Sequence, residues 1–305
     1  MVTTIARRSD ARATSFVVGR ATATNERLAG ALAAGGTSAV ILPPLRVAAV
    51  ARAGDLVLNR VDVLTTLDGV EPGLDLLRYL RERGVAVVNE PDALLACHDK
   101  LSTALLLGVA GVPHPVTAHV RSDVAPVDLE PPFVLKPRFG SWGSDVQLCE
   151  SRAELVRRIQ QAADRPWFRR HGALVQELVE PVGFDLRVIV SNGEVVGAVE
   201  RVAAPGEWRT NISLGGWRRA ASPPADASAV AVRAAAAVGA GLVGVDLLPD
   251  GTGWCVLELN GAVDFTDDYA LDGLDVFDRA VAPFAVPVEF PTIVGSPLGG
   301  LRELV

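Results

Sequence analysis

Residues 241–260, GLVGVDLLPDGTGWCVLELN, leave the chain little choice of local structure. Two apolar runs flank Pro-Asp-Gly-Thr-Gly, the turn chemistry that folds one strand back on the next. With the turn centred near Gly251, Asp246 falls opposite Val256. Opposed residues of an antiparallel pair share a face, and so do residues two and four positions further on. Asp246, Glu258 and Asn260 are therefore expected on one face, with Val245, Leu247, Leu257 and Leu259 on the other. A one-residue change in the turn centre would separate Asp246 from its two partners. Paired carboxylates in apolar surroundings repel unless a cation joins them. An all-oxygen set with few protein ligands suits Mg2+, which keeps water or phosphate in its shell. The same pattern equally fits the solvated side of a half-buried sheet.

The neighbouring sequence extends this architecture. FDLRVIVSNGEVVGAVERVA (184–203) places Asn192-Gly193 between two apolar runs, a hairpin signature. An alanine-rich helix, 227–239, lies between the two hairpins. Upstream, strands at 14–20, 38–44, 55–61 and 85–90 alternate with helices at 25–36 and 71–84. Alternation of that kind predicts a small parallel sheet with helices on its faces. A helical pair, PDALLACHD and KLSTALLLGVAG, stops at the prolines of VPHPVT. From PPFVLKPRFG to GALVQELVE the pattern is strand, glycine turn, strand, helix (151–164), strand. The chain thus reads as three units, 1–90, 91–182 and 183–305, of α/β and α+β character.

Charge and composition remove several function classes. The chain has 305 residues, 29 Lys and Arg against 36 Asp and Glu, and a formal net charge of −7. Without a basic run it is not expected to wrap nucleic acid, which requires many cations at phosphates. Cys97, Cys149 and Cys255 are far apart with no CxxC, which predicts reduced core thiols in a cytoplasmic protein. His98, His114, His119 and His171 lack zinc spacing. The opening MVTTIARRSDARATS has arginines but no apolar core of a secretion signal, so it is expected to be a frayed lead-in. Later apolar stretches are broken by Gly, Pro or charge, so no membrane helix is expected. GAGLVG (239–244) matches G-x-G-x-x-G but follows a helix and opens a strand, the reverse of a dinucleotide fingerprint.

KPRFGSWGSDV (136–146) carries a lysine ahead of its glycines, whereas the familiar phosphate loop carries it behind them. Taken with NR (59–60), GVAVVNEPDALLACHDK, VQELVEPVGFDLRVIV, VERVAAPGEWRTNISLGG and GVDLLPDGTGWCVLELNGAVDF, it resembles the ATP-grasp superfamily and, within it, the RimK/LysX-like carboxylate–amine ligases. The resemblance runs in order from about residue 55 to 265. It implies an N-terminal pre-ATP-grasp α/β domain followed by two subdomains that clamp ATP. It places Lys100 and Lys136 on the phosphates, Ser141, Trp142 and Gly143 in a glycine lid, and Gln176, Glu177, Leu178 and Val179 at the adenine hinge. It puts Asp185 on the ribose and hinge side, Arg209 and Asn211 near the phosphates and the reacting centre, and Asp246, Glu258 and Asn260 on the metal, Mg2+ or Mn2+. Arg187 and Arg201, on the first hairpin, suit a bidentate grip on a carboxylate or acyl phosphate.

The activity implied is ATP-dependent amide formation between a small-molecule or peptide carboxylate and an amine, through an acyl phosphate. A phosphotransferase and a non-catalytic nucleotide-binding regulator are the alternatives, and a homo-oligomer is compatible with each. Two departures stand out. Asp145 replaces a glycine that many relatives have in the loop, and GAVDFTDDYALDG follows Asn260 where glutamate ligases of ribosomal protein have a short Ser-Pro-Gly segment. The acidic run Asp264, Asp267, Asp268 and Asp272 would attract a cationic or amino-group acceptor, or else form a solvated loop.

Overall fold

The computed structural model of the protein describes residues 13–122 and 128–285. Most of the expected N-terminal lead-in, residues 1–12, lies outside the described residues. Three sheets carry the described chain. The first is parallel, in the order β2-β1-β3-β4, built from β1 (Thr14–Val18), β2 (Ser38–Leu42), β3 (Leu56–Asn59) and β4 (Ala86–Val88). Helices α1 (Ala23–Ala34), α2 (Pro44–Val50) and α3 (Leu74–Glu82) connect them. Thr22 Oγ1 accepts from the Asn25 amide at 3.2 Å and caps α1. Leu74, Leu77 and Leu80 of α3 repeat at three-residue spacing and are buried. Helix α2 was not expected: it begins at Pro44 and buries Val47 alone, so no apolar period announces it.

Helices α4 (Pro91–His98) and α5 (Lys100–Val109) meet at Asp99, which ends one and caps the other through the Leu101 amide at 3.2 Å. The second sheet is antiparallel, in the order β5-β8-β6-β7, from β5 (Thr117–Val120), β6 (Phe133–Pro137), β7 (Gln147–Cys149) and β8 (Ala173–Glu177). Helices α6 (Arg152–Ala162) and α7 (Pro166–His171) bury Leu155, Ile159, Trp167 and Phe168 against it.

The third sheet is also antiparallel, in the order β11-β10-β9-β12-β13. Its strands are β9 (Phe184–Ser191), β10 (Glu194–Val202), β11 (Trp217–Ala220), β12 (Leu242–Pro249) and β13 (Trp254–Asn260). Helix α8 (Ala225–Val238) covers one face with Ala227, Ala231, Ala234 and Ala235, whose small side chains let it lie close to Val188, Val190, Val243 and Val245. That leaves the alternate residues of each strand on the opposite face. Asn89 ties the first sheet to the third: its Oδ1 accepts from the Gly241 and Leu242 amides at 2.7 and 2.8 Å, and its Nδ2 donates to the Leu242 carbonyl at 2.7 Å. The last α-helix among the described residues, α9 (Val276–Val281), packs Val276, Ala280 and Val281 with Ile189 and Val196.

Each hairpin of the third sheet contains one bulge, and both bulges decide what the open face carries. In β9–β10, Val195 pairs with Val190 and Gly197 with Ile189, so Val196 is the extra residue. Continuing the register near the turn would set Arg201 opposite Phe184; the bulge sets it opposite Asp185 instead. In β12–β13, Leu247 pairs with Val256 but Asp246 pairs with Glu258, so Leu257 is the extra residue. The expected pairing of Asp246 with Val256 is therefore corrected. Unbulged, the register near this turn would send Glu258 opposite Val245, onto the buried face.

Candidate active site

A cavity enclosing about 990 Å3 of space, its open mouth included, lies between the second and third sheets. Lys136 from β6 and Gln176 and Glu177 from β8 line one wall; Asp185, Arg201, Asp246, Leu248, Leu257 and Glu258 from the third sheet line the other. Ser141, Gly143, Arg209 and Asn211 close one side, and Leu178 and Val179 lie at the strand end.

Two rows of the open face hold the charges. In the first, Glu258, Asp246 and Arg187 are consecutive cross-strand neighbours. Arg187 Nε and Nη2 donate to the two Asp246 carboxylate oxygens, both at 2.7 Å. In the second row, Arg201 faces Asp185 and donates to its carboxylate from Nε at 2.8 Å and Nη2 at 2.5 Å. The same Nη2 reaches Asp246 Oδ2 at 2.9 Å, which links the rows. Thr210 adds a hydroxyl bond to Asp185 Oδ2 at 2.6 Å. Burial alone would raise the Asp246 carboxyl; Arg187 and Arg201 together hold it below the ordinary carboxylate range. Burial likewise opposes the charge on Arg201, and Asp246 and Asp185 overcome it, so its pKa is raised.

The lysines arrive from the other side. Lys100, in the first turn of α5, places Nζ 2.9 Å from Glu258 Oε1 and donates to the Gly140 carbonyl at 2.5 Å. Lys136 is buried, and its pKa is pushed down to about 8, first by burial and then by the charge of Lys100. The C-terminal half of the glycine loop is held from two sides. Arg209 Nη1 donates to the carbonyls of Gly143 and Val146, each at 3.2 Å, while Asp145 Oδ2 accepts from Arg165 Nη2 at 3.0 Å and from Trp167 Nε1 at 2.9 Å. Asp145 is thereby turned toward α7. Gly143 has φ +72°, and a Cβ there would stand 2.7 Å from Asn211 Oδ1, so both backbone and space require glycine.

The structure brings most of the expected residues to one cavity and moves three of them off its wall. Trp142 is 59% exposed at the loop tip, where its carbonyl accepts from Ser213 Oγ at 2.9 Å; it does not roof the cavity. Arg187, on the same strand as Asp185, lies off the wall and is committed to Asp246, so it has a carboxylate partner where a direct grip on substrate was expected. Asn260 approaches Asp246 from beyond the wall, Nδ2 to Oδ2 at 3.4 Å. Leu257, expected on the core side, instead lines the cavity because it is the bulge residue. At the hinge, Glu177 Oε1 accepts from the Val116 amide at 2.9 Å, and Gln176 Nε2 donates to Thr117 Oγ1 at 2.7 Å. Thr210, Leu248 and the Arg165–Trp167 anchor had no sequence signal, because each acts through a residue distant in the chain.

The donor chemistry fits a hard divalent cation: Asp246 and Glu258 face each other across one strand pair and Asn260 is on the same side, an all-oxygen set beside the cavity. The cysteines are buried and free, and burial pushes the Cys97 thiol up to about 12. Among the described residues no helix is long and apolar enough to cross a membrane.

A model of the RimK-like ATP-grasp domain matches residues 97–280. A protein of Thioalkalivibrio sulfidiphilus named "Probable alpha-L-glutamate ligase" is 34% identical over 272 residues, which cover 84% of this chain and 89% of that one. Two solved structures share the fold. The RimK domain ATP-grasp protein of Sphaerobacter thermophilus has a TM-score of 0.66 at 23% identity, covering 88% of this chain and 98% of that one. The ATP-grasp ligase PsnB, complexed with minimal precursor, Mg and ADP, has a TM-score of 0.61 at 21% identity, covering 88% and 97%.

Proposed function

Because the chain belongs to the RimK-like ATP-grasp family and is an ATP-dependent carboxylate–amine ligase, we propose that it activates its carboxylate substrate as an acyl phosphate and passes the acyl group to an amino acid or peptide-like amine. The carboxylate oxygen attacks the γ-phosphorus and ADP leaves. The amine then attacks the acyl carbon, a C–N bond forms, and phosphate leaves as the amine nitrogen loses a proton. No side chain becomes acylated. The enzyme acts by positioning and by offsetting negative charge.

The observation that carries this reading is the meeting of Lys100 and Lys136 with the Asp246–Glu258 pair in one cavity. Lys100 and Lys136 would hold the phosphates, and the strand end Gln176 to Val179 would hold the base between Leu248 and Leu257. Asp246, Glu258 and Asn260 would hold Mg2+, which supplies charge neutralisation to the transferring phosphoryl group. Arg201, fixed by Asp185 and Asp246, lines the cavity where the acyl phosphate would form, and Arg209 fixes the glycine loop over it. The test is incubation with ATP, Mg2+ and pooled acids, with and without hydroxylamine. ADP together with a hydroxamate is expected. A stable phosphate ester would instead make the protein a phosphotransferase, and the absence of turnover with every acid pool would leave a nucleotide binder.

A further inference from the structure

The second charged row of the open face does not stop at Arg201. In the β10–β11 pairing, Arg201 stands directly opposite Arg218, so the order across the face is Asp185, Arg201, Arg218. Like charges in direct cross-strand register oppose each other. Arg201 is neutralised by Asp185 and Asp246. Arg218 is not: among the described residues no carboxylate forms an ion pair with it, and its recorded partner is the ring of Tyr269, 6.0 Å from its Cζ. The next residue, Arg219, shows the contrast, since it turns to the other face and pairs with Glu200. The whole of β11 is exposed, so a solute reaches the Arg218 guanidinium.

Adjacent strands lie about 4.8 Å apart. In an α-amino acid the amine and the carboxylate are separated by one carbon, a span shorter than the strand spacing, and the long, exposed Arg218 side chain can make up the remainder. An amine attacking an acyl carbon held at Arg201 can therefore set its own carboxylate against Arg218. The planar fork of arginine suits that group. We propose that Arg218 is a specificity-determining residue that binds the carboxylate of the amine-bearing acceptor, and that the enzyme thereby selects amino acids over simple amines. This rests on the ligase reading above. It adds one residue, outside the ATP cavity, and assigns the acceptor's position on the sheet.

The test uses the full chain with ATP, Mg2+ and the acid that yields a hydroxamate. Each of the twenty common amino acids is offered as acceptor, and the best is compared with its α-amide. The ratio of kcat/KM for the acid over the amide is expected to fall at least tenfold in Arg218→Ala, chiefly through the KM of the acceptor, and to be partly restored in Arg218→Lys. An unchanged ratio in both variants, or a wild-type enzyme that turns over carboxylate-free amines as well as amino acids, overturns the proposal while leaving the ligase reading intact. Failure of the wild type to form any hydroxamate removes both.

Discussion

The two hairpins of the third sheet are built alike and charged differently. Each has a tight turn, and each inserts one extra residue, Val196 or Leu257, between that turn and the cavity. To the cavity-side face, hairpin β9–β10 contributes Arg187 and Arg201 with a single carboxylate, Asp185, whereas β12–β13 contributes Asp246 and Glu258 with no cation. Neutralisation runs between the hairpins, Arg187 and Arg201 to Asp246, and from outside the sheet, Lys100 to Glu258. Neither hairpin alone could keep its charges in a buried site, because an unpaired buried ion costs several kcal/mol. The face is thus a joint product of two registers.

Shifting the strand beyond the second bulge should have the largest effect. Insertion of one alanine between Leu257 and Glu258 is expected to set that alanine opposite Asp246 and to carry Glu258 opposite Val245, onto the core face together with Asn260. Hydroxamate formation should be lost in a protein whose circular dichroism retains the sheet, and substantial residual activity would refute the role given to the bulge. Glu258→Ala, which leaves the register intact, should lower turnover by about three orders of magnitude and weaken the dependence on Mg2+. Near-normal turnover in that variant would remove Glu258 from the metal set.

Arg187→Ala tests the bond between the hairpins. It leaves Asp246 with a single cationic partner and is expected to cost about 3 kcal/mol of stability, read from denaturant unfolding. Arg187→Lys should recover part of that loss but not the bidentate contact.

Lys136 gives a smaller effect with two opposite signs. In the fold its pKa stands at about 8, below that of an unfolded lysine near 10.4. The charged form is disfavoured by folding, so stability without nucleotide should rise from about pH 8 to about pH 10.4, where the unfolded chain binds more protons. ATP affinity is expected to fall as pH rises above about 8 and the charge on Lys136 is lost from the free protein. Lys136→Met should flatten both profiles. Asp145→Asn is expected to have the least effect, a few-fold rise in the KM for ATP, because it loosens the loop anchor to Arg165 and Trp167 without touching the phosphates.

Much of this was legible in the chain. Alternating elements marked the first sheet, Asn192-Gly193 and Pro-Asp-Gly-Thr-Gly marked both hairpins, and Lys136 ahead of its glycines marked the loop. Helices α2 and α7 were not, since six or seven residues with one or two buried side chains leave no period to detect. The expectation that Asp246, Glu258 and Asn260 share a face held, but through a register that the structure does not have. The turn is centred half a residue from Gly251, which by itself would have separated the set, and the bulge at Leu257 brings it back.

Sequence alone therefore singled out most of the residues that the fold gathers at one cavity, because residue type and order survive small errors of placement. Only the tertiary structure decided which face each one takes. Side chains alternate along a strand, so a single inserted residue reverses everything beyond it, and no local propensity announces the insertion. The structure likewise decided that Arg187 pairs with Asp246, that Asp145 anchors the loop to α7, and that Arg218 stands beside Arg201 with its charge unpaired among the described residues. Each of those outcomes depends on contacts between segments far apart in the chain, which only folding brings within reach.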